Sequence, residues 1–305
     1  MLLVLSFVFF MLLGLPLFGV IGLASIISMI GMPFPMEFIP QNLYTGMDQF
    51  PLIATIGFVM AGFLMEPAGI TGEIIEVAKK AVGNIRGGLA MVTILACMIF
   101  AALSGSGPAT TAAIGSIMIP GMIGAGYRKD DAAAVSATGG TLGILIPPSN
   151  PMIIYGVIAN VSIVELFAAG YVPGILMGVM FMIYSYFFAR KHGYPAEPKP
   201  TPKEVWTAFK VAAPTLLLPI LIMGTILAGI CTPTESAVLA VVYALFLSCV
   251  VYRTLPLREL KETFVHSAKS AAMVLVVIAT ASLLSWAVTV MNIPQMMADF
   301  VYSIT

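Results

Sequence analysis

The chain has 305 residues, of which 60% are hydrophobic and 9% charged, and its 14 basic side chains balance its 14 acidic ones. A mean hydropathy of +1.04 excludes a soluble domain of this length, whose surface needs far more charge, and the zero net charge argues against a nucleic-acid surface. Cys97, Cys231 and Cys249 are scattered, and His192 and His266 sit near basic segments, so neither a disulfide framework nor a metal cluster is indicated.

An all-α polytopic membrane protein is what remains. Residues 2–30 predict a first membrane helix, bent near Gly14 and Pro16; the run is too long for a secretory signal and lacks a basic start. The loop 31–50 carries only Glu37 and Asp48 as charges, and 49–65 predict a second crossing. Residues 66–86 alternate Glu73, Glu76, Lys79 and Lys80 with Ile70, Ile74, Ile75 and Val77, which reads as an amphipathic interfacial helix.

Lys and Arg mark the cytoplasmic side of membrane helices. Lys79, Lys80 and Arg86 are the first basic side chains, so the N-terminus belongs inside and the loop 31–50 outside. Arg128 and Lys129 must then also be inside, and no charged residue or histidine lies between Arg86 and Arg128. The intervening arms, 88–103 and 109–124, fall slightly short of the roughly 20 residues of a full span, and they predict a re-entrant hairpin. Residues 133–158 then cross outward, 166–189 return to Arg190, Lys191, Lys199, Lys203 and Lys210, and 203–211 form a second amphipathic segment. Crossings at 212–230, 236–252 and 270–290 follow, with Arg253, Arg258, Lys261 and Lys269 again inside.

Three stretches carry chemistry. The turn SGSGPATT, Ser104–Thr111, joins the hairpin arms. Glycines let the backbone turn, and Pro108 suits the start of the second arm, where no N–H is needed. Hydroxyls and carbonyls at the end of one helix are hard oxygens for an alkali cation, whereas the start of the next helix offers N–H groups to an anion. The second stretch, ATGGTLGILIPPSNPMIIYG at 137–156, places Pro147, Pro148 and Pro151 behind Gly139, Gly140 and Gly143. Three prolines in five positions cannot continue an α-helix, so this crossing is broken beside Thr141, Ser149 and Asn150. Facing helix breaks of this kind form ion and substrate sites in secondary transporters. The candidate substrate ligands are therefore Ser106, Gly107, Pro108, Ala109, Thr110, Thr141, Ser149 and Asn150. The candidate sodium ligands are Ser104, Ser106, Gly107, Gly140, Thr141, Gly143 and Pro147.

The third stretch is CTPTESA, 231–237, with Thr232, Thr234 and Glu235 beside an apolar run. A carboxylate at membrane depth is a functional candidate, yet Thr232-Pro233-Thr234-Glu235 also matches a capping box, which is the first reading of Glu235. The pattern recurs at Thr201–Glu204 and, without the proline, at Ser162–Glu165. No histidine is placed near Ser104 or Ser106, so an intramembrane serine hydrolase lacks its base. The chain reads as a transporter and not as an enzyme.

SGSGPATTAAIG, GGTLGILIPPSNPMIIYG and GICTPTESAVLAVVYAL, in this order and spacing, resemble the large membrane subunit of tripartite ATP-independent periplasmic (TRAP) transporters, and the resemblance runs from about residue 2 to the end. It implies an elevator-type transporter of the bacterial inner membrane, a symporter with Na+ as coupling ion. The implied cargo is an organic anion such as a C4-dicarboxylate or sialic acid. A periplasmic solute-binding protein would deliver it, and a small four-helix membrane subunit would brace the scaffold. Residues 1–86 would be scaffold, 87–158 the first transport hairpin and broken helix, 159–230 connecting scaffold with a linker at about 190–211, and 231–305 the start of a second inverted repeat. Large subunits of this family continue with a second hairpin and a second broken helix, so the sequence is expected to be truncated. A related carboxylate symporter that works without a binding protein is the alternative.

Overall fold

The structure, a computed structural model, describes residues 2–30, 35–66 and 69–304, without the side chains of 257, 258 and 304. The parts of the expected loop and amphipathic segment at 31–34 and 67–68, and the Arg258 side chain, lie outside the described residues.

All the regular structure among the described residues is helical. In chain order the helices are α1 (Leu2–Leu12), α2 (Leu17–Met29), α3 (Phe38–Met47), α4 (Leu52–Met65), α5 (Ile70–Val82), α6 (Gly88–Ser104) and α7 (Gly107–Gly124). Then come α8 (Lys129–Gly140), a 3-10 turn (Thr141–Ile144), α9 (Asn150–Ala159), α10 (Ile163–His192), α11 (Pro202–Leu227) and α12 (Pro233–Phe246). A π-helical turn (Leu247–Val251), α13 (Leu257–Val290) and α14 (Ile293–Ile304) complete the described chain. Four stretches, Ile163–His192, Pro202–Leu227, Pro233–Val251 and Glu259–Val290, are long and apolar enough to cross a membrane.

The chain divides into two compact units, Pro51–Ala268 and a unit formed by Met1–Phe50 with Lys269–Thr305. Within the smaller unit the bend expected near Gly14 and Pro16 is a full break, and α1 and α2 pack on each other as separate short helices. Its small core joins Met29 to Leu283 and Ala287, with Phe38 stacked on Trp286 at 5.8 Å.

The larger unit holds the main core. α4 packs along α12, and from the π-helical turn that follows it the buried Ser248 hydroxyl reaches the Leu64 carbonyl at 2.8 Å. Phe58, Leu64 and Met65 of α4 and Leu103 and Phe100 of α6 are fully or almost fully buried. The helix starts follow their residues. Thr201 and Thr232 both form complete capping boxes, with Glu204 and Glu235, and Ser162 accepts from the Glu165 amide. α10 ends at Gly193, in the left-handed region, with Arg190, Lys191 and His192 in its last turn, where cations complement the helix dipole.

Two amphipathic expectations change form. α5 buries Ile70, Ile74, Ile75 and Ala78 against α6 and α11 and so spends its apolar face on protein. Residues 203–211 are the opening turns of α11, continuous with the following span, because nothing between Lys210 and Ala212 breaks the helix. The hydrophilic stretch before residue 270 is likewise helical, as the start of α13.

Tyr194, just past α10, ties that helix end to the α7–α8 connection. It stacks on Tyr127 at 3.9 Å and donates a hydrogen bond to Asp131. Burial pushes the Tyr127 phenol up to about 12. Burial and the Asp131 bond both raise Tyr194, which therefore stays a donor at neutral pH.

Packing at Phe58 gives a test. Phe58→Ala should cost about 3 kcal/mol and lower the thermal midpoint of the detergent-solubilised protein. Leu217→Ala, on an exposed face of α11, should leave that midpoint within about 1 °C of the parent, since surface changes stay within about 0.5 kcal/mol.

Candidate functional site: a hairpin tip against a broken helix

α6 and α7 pack against each other as a helical hairpin whose turn is the pair Gly105–Ser106. α6 can stop at Ser104 because Gly105 takes φ +60°, a conformation that costs a side-chain-bearing residue about 1 kcal/mol or more. Ser106 then caps α7, its hydroxyl accepting from the Ala109 amide at 3.4 Å, with Pro108 in the first turn. The Thr110 hydroxyl lies 2.8 Å from the Ser106 carbonyl and 2.9 Å from the Ser104 hydroxyl. Ser104 and Thr110 are both buried.

The facing crossing breaks as its prolines require. α8 tightens into the 3-10 turn at Thr141, the chain leaves helical geometry at 145–149, and α9 restarts at Asn150. The Pro147–Pro148 peptide bond is cis. Ser149 donates to the Ile144 carbonyl at 2.6 Å, which replaces one of the helix bonds that the prolines remove.

These two breaks meet. The Asn150 amide donates to the Gly105 carbonyl at 3.2 Å, joining the start of α9 to the end of α6. Gly143 lies so close to the tip that a Cβ there would sit 2.6 Å from both the Ser106 carbonyl and the Thr110 hydroxyl. Gly140 is pressed in the same way against Thr111, and the Gly140 carbonyl faces Gly107. Asn150 is buried, and among the described residues its Oδ1 has no hydrogen-bond partner. A buried acceptor left unsatisfied costs about 1–3 kcal/mol, so such an atom calls for an occupant. No charged residue or histidine occurs at 87–127 or 132–164. The arrangement therefore offers neutral oxygens to a cation, and the positive end of α7 with the Gly107 N–H to an anion.

The predicted residues thus fall into three groups. Ser104, Ser106, Gly107, Thr110, Gly140, Gly143 and Asn150 meet at the seam between tip and broken helix, with Ser149 and Pro147 buried beside them. Pro108, Ala109 and Thr141 are exposed, and the Thr141 hydroxyl is turned back onto the Thr138 carbonyl at 2.7 Å. Thr232, Thr234 and Glu235 stand at the start of α12, where Glu235 accepts from the Thr232 amide at 2.7 Å and hydroxyl at 2.8 Å. Capping occupies that carboxylate.

Two contributors are hidden from a reading of the sequence. The Gly105 carbonyl is the acceptor that joins the breaks, though along the sequence its glycine stands out only as a turn former. Gly62 of α4 faces Ser104, and a Cβ added to it would lie 3.6 Å from the Ser104 Cα. Nothing in the apolar run 52–65 marks that glycine as a neighbour of the tip.

The family model described as "Tripartite ATP-independent periplasmic transporter, DctM component" matches residues 4–305. The isethionate TRAP transporter permease protein DctMQ of Oleidesulfovibrio alaskensis is 38% identical over 98% of this chain and 47% of its own length. The C4-dicarboxylate TRAP transporter large permease protein DctM of Rhodobacter capsulatus is 37% identical over 95% of this chain and 69% of its own length. The sialic acid TRAP transporter large permease protein SiaM of Vibrio cholerae is 39% identical over 88% of this chain and 63% of its own length. The chain thus spans between about half and two thirds of these relatives.

The seam itself is testable. Gly143→Ala should destabilise the protein by about 1–3 kcal/mol through overpacking, read as a lower thermal midpoint. Gly121→Ala, where an added Cβ meets nothing within 4 Å, should not. With its match across nearly the whole sequence, its helical hairpin and its broken facing helix, this chain belongs to the DctM family of TRAP transporter large permeases.

Proposed function

We propose that this chain carries the first half of the transport site of a sodium-coupled, elevator-type importer of organic anions. One observation carries the reading: the buried, unpartnered Asn150 Oδ1 stands next to the joined helix breaks. Together with the Ser104 and Thr110 hydroxyls it forms a neutral oxygen set suited to an alkali cation. The names of the three relatives, for C4-dicarboxylate, sialic acid and isethionate, point to small organic anions as the cargo class.

In this reading Na+ is a co-substrate. Its charge offsets that of the anion in a site that contains no basic side chain. Ser106, Gly107, Pro108, Ala109 and Thr110 form the start of α7, which faces the anion with the Gly107 N–H and a positive dipole end. Ser149 completes the polar lining on the broken helix, and Thr141 would join it only after its hydroxyl leaves the Thr138 carbonyl. Gly140, Gly143 and Pro147 let the two backbones approach closely enough for both ligand sets to share one pocket.

Residues 87–158 move as a single transport element, which the tight seam supports, because tip and broken helix cannot slide past each other without parting. Residues 1–86 and 159–230 serve as scaffold, and 231–305 open a second inverted repeat. A periplasmic binding protein delivers the anion, and a small four-helix subunit braces the scaffold. The basic clusters around Lys79, Arg128, Arg190 and Arg253 set the N-terminus and the base of the hairpin on the cytoplasmic side of the bacterial inner membrane.

Uptake into proteoliposomes by a large subunit that joins this chain to a second repeat, with the binding protein and small subunit present, tests this. Asn150→Ala should raise the sodium concentration for half-maximal uptake about tenfold, equivalent to ~1.4 kcal/mol. Glu235→Gln should leave that sodium dependence unchanged. Uptake indifferent to the sodium gradient would overturn the proposal.

A further inference from the structure

α5 and the opening turns of α11 line an open cavity of about 670 Å³. It is separate from the hairpin seam, and the transport reading makes no use of it. Ala208 and Val211 form part of its apolar wall, while Glu73, Glu76, Glu204, Lys80 and Lys203 line the polar part.

The polar part is a built arrangement. Lys80 Nζ lies 3.5 Å from Glu204 Oε2, linking the two helices. Glu73 is held by the hydroxyls of Thr215 at 2.9 Å and Tyr252 at 2.8 Å. Both bonds fall on Oε2, and Oε1 is the oxygen this network does not use. Glu76 pairs with Lys79 at 3.2 Å along α5. With Lys79 counted as the partner of Glu76, three carboxylates meet three ammonium groups.

The depth of the cavity is legible along α11. Its first turns hold Lys203, Glu204 and Lys210, and from Val211 to Leu227 it carries no charge. Trp206 is 72% exposed at the transition, the placement of an aromatic anchor at headgroup level. The cavity therefore runs from the headgroup layer to the top of the hydrocarbon.

We propose that this cavity binds one phospholipid whose headgroup carries a primary ammonium, of the phosphatidylethanolamine class. The carboxylates of Glu73 and Glu76 receive the ammonium, which has three N–H donors. Lys80 and Lys203 meet the phosphate, and an acyl chain follows Ala208 and Val211 toward the hydrocarbon. A glycerol headgroup brings no cation to the Glu73 and Glu76 carboxylates, and a choline headgroup has no N–H to donate. The proposal is independent of sodium coupling and rests only on the membrane position of α11.

Native mass spectrometry of the purified protein, offered an equimolar mixture of phosphatidylethanolamine, phosphatidylcholine and phosphatidylglycerol, tests it. One phosphatidylethanolamine should be retained with about a fivefold preference, the size of one headgroup-level charge contact. Glu76→Gln and Lys203→Gln, both at exposed side chains, should each abolish that preference without changing the thermal midpoint. Val211→Trp, which fills the apolar wall, should remove the retained lipid altogether, and Lys191→Gln at the end of α10 should have no effect. Equal retention of the three lipids, or a preference that survives all three cavity variants, would contradict the proposal. So would displacement by soluble phosphoethanolamine at the same concentration as the lipid, which would assign the cavity to a water-soluble ligand.

Discussion

Two helix breaks that face one another must satisfy each other's backbone, because a helix end leaves amides and carbonyls without intrahelical partners and an apolar surrounding supplies no water. Here the bond from the Asn150 amide to the Gly105 carbonyl joins the start of α9 to the end of α6. It is possible only because Gly105 turns through positive φ and because Gly143 presents no side chain to the tip. The Ser149 hydroxyl supports the same geometry from below by taking up the Ile144 carbonyl. Beside those paired groups, among the described residues, the Asn150 Oδ1 is buried without a hydrogen-bond partner. The functional reading grows from that residual atom.

The surrounding fold serves to hold this seam. α4 stands behind the tip through Gly62 and is itself locked to α12 by packing and by the Ser248 hydroxyl on the Leu64 carbonyl. α5 fastens the base of the hairpin to α11, and Tyr194 fastens the α7–α8 connection to the end of α10. Ionisable groups gather at these peripheral contacts, as capping boxes, ion pairs and the Glu73 network, whereas the seam is built from hydroxyls, an amide and backbone. That separation fits a site in which a mobile cation supplies the positive charge an anionic substrate needs.

Much of this was legible in the sequence because breakers and charges are strong local signals. The turn at 105–106, the break at 145–149 and the caps at Ser162, Thr201 and Thr232 each follow from residues within a few positions of the feature. The meeting of Gly105 with Asn150 did not follow, since forty-five positions separate them and no local pattern states which breaks face each other. The apolar face of α5 was legible only in part. An amphipathic stripe reports that one side is covered, but the same stripe suits lipid or protein, and here α6 and α11 cover it. The Thr141 hydroxyl shows a third limit. Its residue type and position matched a ligand, and its rotamer returned it to its own helix.

The central claim is that the seam between hairpin tip and broken helix holds the coupling cation. Hydrogen–deuterium exchange of the purified protein, in sodium chloride and in choline chloride at equal ionic strength, addresses it most directly. Peptides covering 104–111 and 141–150 should exchange more slowly in sodium, and Asn150→Ala should erase the difference. Equal exchange of both peptides in the two salts would contradict the account.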